Sequence, residues 1–228
     1  MSPDFSIELQ HKNNFDLIFG VDEVGRGSLA GPITFGFIAI KKKYIQKNSE
    51  LTKLGIRDSK KLTAKQRQKI AISAKKYLEK KVIIHISNQT IDRIGISNTY
   101  RLVCRKFANI ISLKTSNKRI LLLTDFFKIK DNYKNLSSLP IKKGDNTSIS
   151  IALSSIYAKV TRDKLMEFLH LKHSCYDWIN NKGYGTKKHL QAIINFGVSN
   201  LHRISYLSHL NLGTKTLADL KVNETGPE

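Results

Sequence analysis

The apolar run Leu17-Ile18-Phe19-Gly20-Val21 ends on two adjacent acids, Asp22 and Glu23, and that junction constrains the fold more than any other feature of the chain. A short, wholly apolar segment bounded by a turn reads as a buried strand. The turn is Gly25-Arg26-Gly27-Ser28-Leu29-Ala30-Gly31-Pro32; beyond it Ile33–Ile40 reads as a second strand, re-entering solvent at Lys41-Lys42-Lys43. Neighbours in an extended strand point to opposite faces, so residues 22 and 23 reach one cluster only where the pleat breaks. Gly25 and Gly27 permit such a break.

Further along, a polar connection over 44–62 ends in Asp58-Ser59-Lys60-Lys61-Leu62, and Thr63 is placed to cap a helix running to about Lys80. One face of that helix carries Ile70, Ala74, Tyr77 and Leu78; the other carries Lys65, Arg67, Lys69, Lys75 and Lys76, a row that either tracks phosphates or is simply solvated. Residues 82–86 read as a third strand, 90–112 as a helix, and 120–123 as a fourth strand ending at Thr124-Asp125. Leu139-Pro140-Ile141 reads as a short fifth strand before Lys142-Lys143-Gly144-Asp145, and two helices follow, over 147–169 and Lys187–Phe196. The pattern predicts an α/β domain around one mixed sheet. At 228 residues and 40% hydrophobic content, the chain reads as a polar lead-in over 1–14, a single domain over 15–212, and a flexible tail over 213–228.

Charge narrows the function. Lys and Arg number 39 against 18 acids, a formal charge of +21, which attracts polyanions at long range and makes nucleic acid the expected partner. The bland reading is a Lys-rich bias that only keeps the protein soluble. Cys104 and Cys175 form no disulfide framework and fit a reducing cytoplasm. Met1-Ser2-Pro3-Asp4 does not open a signal peptide, and no apolar stretch is long enough to cross a bilayer. A cytoplasmic protein without membrane contact is expected.

Acids are scarce, so their positions carry information. Asp22 and Glu23 end one strand, Asp125 ends another, and Asp145 follows a third apolar segment. Carboxylates at neighbouring strand ends can converge at a sheet edge. An all-oxygen set favours a hard cation, Mg²⁺ or Mn²⁺, and two such ions can act together on a phosphodiester. By position alone, surface or salt-bridged acids fit as well; the basic charge favours the metal cluster, because a nuclease needs both. The glycine loop also satisfies the loose dinucleotide pattern G-x-G-x-x-G/A, but Ile33–Ile40 is strand-like where that motif requires a helix. His170, His173 and Cys175 lack a second ligand pair at zinc spacing, and His202 with Arg203 reads either as support for the site or as packing.

The segment Gly20-Val21-Asp22-Glu23-Val24-Gly25-Arg26-Gly27-Ser28-Leu29-Ala30-Gly31-Pro32 closely resembles the opening signature of the type II ribonucleases H. The resemblance continues in order through Asp58-Ser59-Lys60-Lys61-Leu62, Lys143-Gly144-Asp145, and Ser154-Ser155-Ile156-Tyr157-Ala158-Lys159-Val160-Thr161-Arg162-Asp163. Gly183-Tyr184-Gly185-Thr186 and His202-Arg203-Ile204-Ser205-Tyr206 complete it, so that it spans residues 16–207. It implies a ribonuclease H-like fold, a mixed central sheet flanked by helices with a helical C-terminal region, and endonucleolytic cleavage of RNA in RNA–DNA duplexes, including single ribonucleotides embedded in DNA, leaving 3′-hydroxyl and 5′-phosphate ends. It also implies a monomer acting with Mn²⁺ or Mg²⁺. By motif, Asp22, Glu23, Asp125 and Asp145 match the metal-binding catalytic acids. Gly25, Arg26 and Gly27 match the loop that reads the ribose 2′-hydroxyl, Tyr184 the tyrosine at the RNA–DNA junction, and Lys60 a phosphate-contacting lysine. The resemblance departs at Phe126, where the family usually has Gly after the third acid. The rival readings are a non-catalytic basic nucleic-acid-binding protein and a DNA nuclease of the same fold.

Overall fold

The computed structural model describes residues 2–112, 117–125, 127, 133, 135–208 and 222–223. Phe126 and nearly all of the expected tail over 213–228 lie outside the described residues. The chain forms two compact units: residues 1–24, 34–84 and 100–160 make the first, and 25–33, 85–99 and 161–228 the second.

The first unit is built on a five-stranded mixed sheet. In chain order the elements begin with α1 (Ser6–His11), β1 (Leu17–Val24), β2 (Ile33–Ile40), α2 (Ala64–Ala74) and β3 (Leu78–Ile86). These are followed by α3 (Asn88–Ser112), β4 (Ile120–Asp125), β5 (Leu136–Ile141) and α4 (Ile149–His170), of which residues 88–99 of α3 and 161–170 of α4 belong to the second unit. The strand order is β3-β2-β1-β4-β5, with β1 antiparallel to β2 and parallel to β4, and β4 parallel to β5. The central strands β1 and β2 are buried nearly end to end, as strands covered on both faces must be.

Alternation along β1 decides what each face meets. Phe19 on β1 and Phe37 on β2 pack against Phe107 of α3, the latter pair stacked at 4.2 Å. Gly20 and Gly36 face the other way, onto α4. A Cβ at Gly20 would lie 2.0 Å from the backbone of Ser150, and one at Gly36 2.4 Å from the Ser154 carbonyl oxygen. Ser154 Oγ donates to the Gly20 carbonyl at 2.7 Å, closing the contact. Here glycine is required by space, since any side chain would push helix and sheet apart.

Several boundaries differ from the sequence reading, each for a physical reason. The helix after Thr63 stops at Ala74; Thr63 does cap it, in a reciprocal capping box with Gln66. The segment Leu78-Glu79-Lys80-Lys81 joins β3 instead, because its burial alternates even though lysine is a good helix former. The helix expected over 90–112 is interrupted at Gly95, whose φ of 74° cannot continue a right-handed helix. The N-terminal residues do more than lead in. Phe5 is buried in the main core, and Glu8 Oε1 accepts from Ser148 Oγ (2.6 Å), Ser150 N (3.0 Å) and Ser150 Oγ (2.6 Å) at the start of α4. A carboxylate at a helix N-terminus complements its unpaired N–H groups, although burial pushes the Glu8 carboxyl above its ordinary range.

The second unit contains α5 (Trp178–Asn181), α6 (Lys187–Phe196), β6 (Val198–Ser199) and α7 (Ile204–Leu207), with β6 pairing in parallel to β7 (Val222–Asn223). Its core gathers Leu29, Ala30, Met166, Tyr176, Trp178 and Ile193. Among the described residues no helix is long and apolar enough to cross a membrane.

The close approach at β1 yields a direct test. Gly20→Ala is expected to lower stability by about 3 kcal/mol, at the upper end of ordinary overpacking because the atoms the new methyl meets are the backbone of Ser150 and Ile151. Denaturant unfolding measures the loss; wild-type stability would refute the contact.

Candidate active site

In the first unit the acids gather at the C-terminal ends of β1 and β4. The pleat of β1 does not break at the acid pair: the strand runs on through Val24, pairing Asp22 with Gly36 and Glu23 with Phe35. The positive φ comes at Gly25, one residue past the strand. Asp22 therefore sits on the α4 side of the sheet and Glu23 on the other. They interact all the same, because the Asp22 carboxylate accepts from the Glu23 backbone N–H at 2.8 Å.

Asp22 is 8% exposed. Burial first, and then the charges of Glu23 and Asp125, hold its carboxyl well above the ordinary range, against the opposing hydrogen bond from Ser155. Ser155 is itself paired with Ser59, Oγ to Oγ at 2.9 Å, so α4 and the Asp58-Ser59-Lys60 turn share one buried contact behind the acid. Asp125, half-buried, accepts from Gly144 N at 2.8 Å, which ties the end of β4 to the turn carrying Asp145. Asp145 accepts from Asn146 Nδ2 at 2.7 Å, and burial, followed by the charges of Asp125 and Asp58, raises its carboxyl too, with Lys60 opposing. Lys60 itself is exposed.

Asp22, Glu23, Asp125 and Asp145 are thus linked electrostatically, with Asp125 felt by both Asp22 and Asp145. Among the described residues no three His, Cys, Asp or Glu side chains already converge as a ligand set. The donors nevertheless fit a hard cation: all are carboxylate oxygens, and the most buried one is held under like-charge repulsion that a cation would relieve. Sequence reasoning did not single out Ser155 and Asp58, although both lie inside quoted motifs. Their roles depend on three-dimensional proximity, and a lone serine in a helix carries no signal for it.

The second unit carries the remaining sequence-predicted residues. Gly25 has φ of +89°, and a Cβ there would fall 2.2 Å from Arg162 Nε, so glycine is needed twice over. Arg26 and Gly27 are exposed. Two fully buried arginines shape this loop. Arg162 donates from Nε to the Pro32 carbonyl (2.9 Å), from Nη2 to Ser28 Oγ (2.9 Å) and the Ala30 carbonyl (3.2 Å), and from Nη1 to the Lys182 carbonyl (2.8 Å). Arg203 Nη1 donates to the Arg26 carbonyl at 2.9 Å, and its other nitrogens grip the Gly31 carbonyl. Arg203 therefore holds the backbone of this loop at Arg26 and Gly31. Arg162, which sequence reasoning passed over, also lies over the half-buried ring of Tyr184, its guanidinium carbon 5.5 Å from the ring centroid.

A family model described as Ribonuclease HII matches residues 19–209. Ribonuclease HII of Wolbachia pipientis subsp. Culex pipiens (strain wPip) is 40% identical over 211 residues, covering 90% of this chain and 95% of its own. Among solved structures, the chain is similar to one from the PCNA:RNase HII complex of Archaeoglobus fulgidus, with a TM-score of 0.66 at 22% identity over 89% of this chain and 100% of that one. It is similar also to Bst-RNase HIII in complex with Mn²⁺, with a TM-score of 0.58 at 20% identity over 78% and 61% of the two chains. Those likenesses identify the fold as ribonuclease H-like. Matched by the family model over most of its length, the chain belongs to the ribonuclease HII family.

Proposed function

We propose that the protein hydrolyses the RNA strand of RNA–DNA hybrids and cuts at ribonucleotides embedded in duplex DNA, leaving 3′-hydroxyl and 5′-phosphate ends. The observation that carries this reading is the buried Asp22, coupled to Glu23 and Asp125 at the strand ends of a ribonuclease HII chain.

Asp22, Glu23, Asp125 and Asp145 would hold Mn²⁺ or Mg²⁺, with two ions during catalysis. Bound there, such ions supply a water acidic enough to attack and a counter-charge for the departing 3′ oxygen. The chain's own residues do the rest. Ser155 and the Glu23 N–H donate to Asp22 and orient its carboxylate. Gly144 N does the same for Asp125. The Gly25-Arg26-Gly27 loop, set by Arg162 and Arg203, reads the 2′-hydroxyl, the one local group that separates RNA from DNA. Tyr184 packs at the RNA–DNA junction, and Lys60 meets a phosphate. The net charge of +21 draws the duplex in and makes binding weaken as salt rises. The reading places the enzyme in the cytoplasm as a monomer without membrane contact, serving ribonucleotide removal during DNA replication and repair.

Asp22→Asn should abolish cleavage while leaving duplex binding largely intact; full activity would remove Asp22 from the chemistry. The same variant has a stability signature. A carboxyl whose folded-state pKa is raised stabilises the fold below its unfolded pKa, and that stability is lost as pH rises through the folded pKa. At neutral pH without divalent ions, Asp22→Asn is therefore expected to melt higher, by roughly 2–4 °C, the shift of about 1 kcal/mol in a chain of this size. Adding Mn²⁺ should raise the wild-type Tm and leave the variant nearly unmoved; an equal rise in both would place the ion elsewhere.

Tyr184→Ala is expected to cost more on duplex DNA with one ribonucleotide than on a long hybrid. Equal losses on the two substrates would contradict the junction role.

A further inference from the structure

Within the second unit, a chain of buried side chains ends on the backbone of Tyr184. Trp178 Nε1 donates to His189 Nε2 at 3.1 Å, His202 Nε2 lies 3.1 Å from the same atom, and His189 Nδ1 lies 2.9 Å from the Tyr184 carbonyl oxygen. At the far end, the Ser199 N–H donates to His202 Nδ1 at 2.9 Å. Partner chemistry settles every proton. An indole nitrogen only donates and a carbonyl only accepts, so His189 carries its proton on Nδ1 and presents a bare Nε2. His202 accepts at Nδ1 and therefore carries its proton on Nε2, beside the His189 Nε2 lone pair that Trp178 also meets.

Trp178, His189 and His202 are all buried. Burial lowers the proton affinity of both histidines, and His202, which also feels His189, is brought down to about 3. Both stay neutral at physiological pH, so the donor–acceptor order is fixed. Tyr176 braces the group, stacked on Trp178 at 5.3 Å and edge-on to His202 at 4.7 Å.

The peptide that precedes Tyr184 is anchored as well, since Leu29 N and Ala30 N donate to the Gly183 carbonyl at 2.8 and 3.2 Å. Tyr184 N donates to the Asn181 carbonyl at 2.9 Å, and Thr186 N donates to the Tyr184 carbonyl at 2.8 Å. Asn181 and Thr186 lie two or three residues away. His189 belongs to α6 and is tied to Trp178 and His202, so its bond refers the Tyr184 carbonyl to that buried group.

We propose that His189 is a positioning residue for Tyr184: its Nδ1–H, held in place by Trp178 and His202, fixes the tyrosine's backbone where the ring must meet the ribonucleotide junction. This rests on the junction reading of Tyr184 given above. His189 touches no reacting atom and acts only through the tyrosine. Its effect belongs to substrate choice, not to the hydrolytic step.

The test compares kcat/KM on duplex DNA containing one ribonucleotide with kcat/KM on a long RNA–DNA hybrid, for wild type, His189→Leu, His189→Asn and Tyr184→Ala. His189→Leu should lower the single-ribonucleotide to hybrid ratio about fivefold to tenfold, the scale of one lost hydrogen bond. His189→Asn, whose amide nitrogen can stand where Nδ1 stood, should restore most of that ratio. Equal losses on both substrates in His189→Leu would reduce the residue to packing and overturn the proposal. So would an unchanged ratio in His189→Leu while Tyr184→Ala shifts it. If Tyr184→Ala itself leaves the ratio alone, the junction reading has failed, and the positioning role falls with it. Should His189→Leu not fold, nitrogen-15 NMR of the wild-type chain decides: protonation of His189 on Nδ1 and His202 on Nε2 is expected, and the opposite tautomer at His189 overturns the proposal.

Discussion

The contact on which the first unit depends is the meeting of α4 with β1 and β2 at Gly20 and Gly36, where helix backbone lies directly against strand backbone. Two glycines on one face of neighbouring strands, Gly20 opposite Ile38 and Gly36 opposite Asp22, let the helix come closer than any side chain would allow. That approach places Ser155, one turn along α4, within hydrogen-bonding reach of Asp22. The same helix begins where Glu8 receives Ser148 and Ser150, so the N-terminal segment fastens the element that supports the acid. Packing and chemistry share a single contact surface here.

Electrostatics explains why so few acids suffice in so basic a chain. Burying Asp22 beside Glu23 and within the field of Asp125 works against the fold, since each charge raises the cost of ionising the next. A protein has little reason to keep such an arrangement for stability alone; a divalent cation turns the same repulsion into affinity. The surrounding lysines and arginines act at longer range, drawing in a polyanion whose phosphates bring further negative charge to the site.

Much of this was legible in the sequence, and the exceptions have a common cause. The strands at 17–24 and 33–40 and the helix at 187–196 announce themselves through continuous apolar runs or strong amphipathic spacing. The Thr63 cap follows from residue type alone. The acid pair, the glycine loop and Tyr184 were visible as motifs. Less visible were the features set by contacts distant in sequence: Lys80 and Lys81 drawn into β3 by strand pairing, Phe5 and Glu8 recruited from an apparently polar lead-in, and Arg162 turned inward to bond four carbonyl or hydroxyl oxygens. A buried arginine and an exposed one look alike in a sequence. So do the histidines at 189 and 202, whose tautomers are fixed only by what each ring nitrogen meets.

The proposed reaction is a metal-dependent cut directed by a ribose. The most direct measurement incubates the full chain with duplex DNA holding one ribonucleotide, beside an all-DNA duplex of the same sequence, in Mn²⁺, in Mg²⁺ and in chelator. Cleavage confined to the ribonucleotide duplex, present with an ion and absent with chelator, is the expected result. Binding without cleavage under every condition, or equal cutting of the all-DNA duplex, would contradict it.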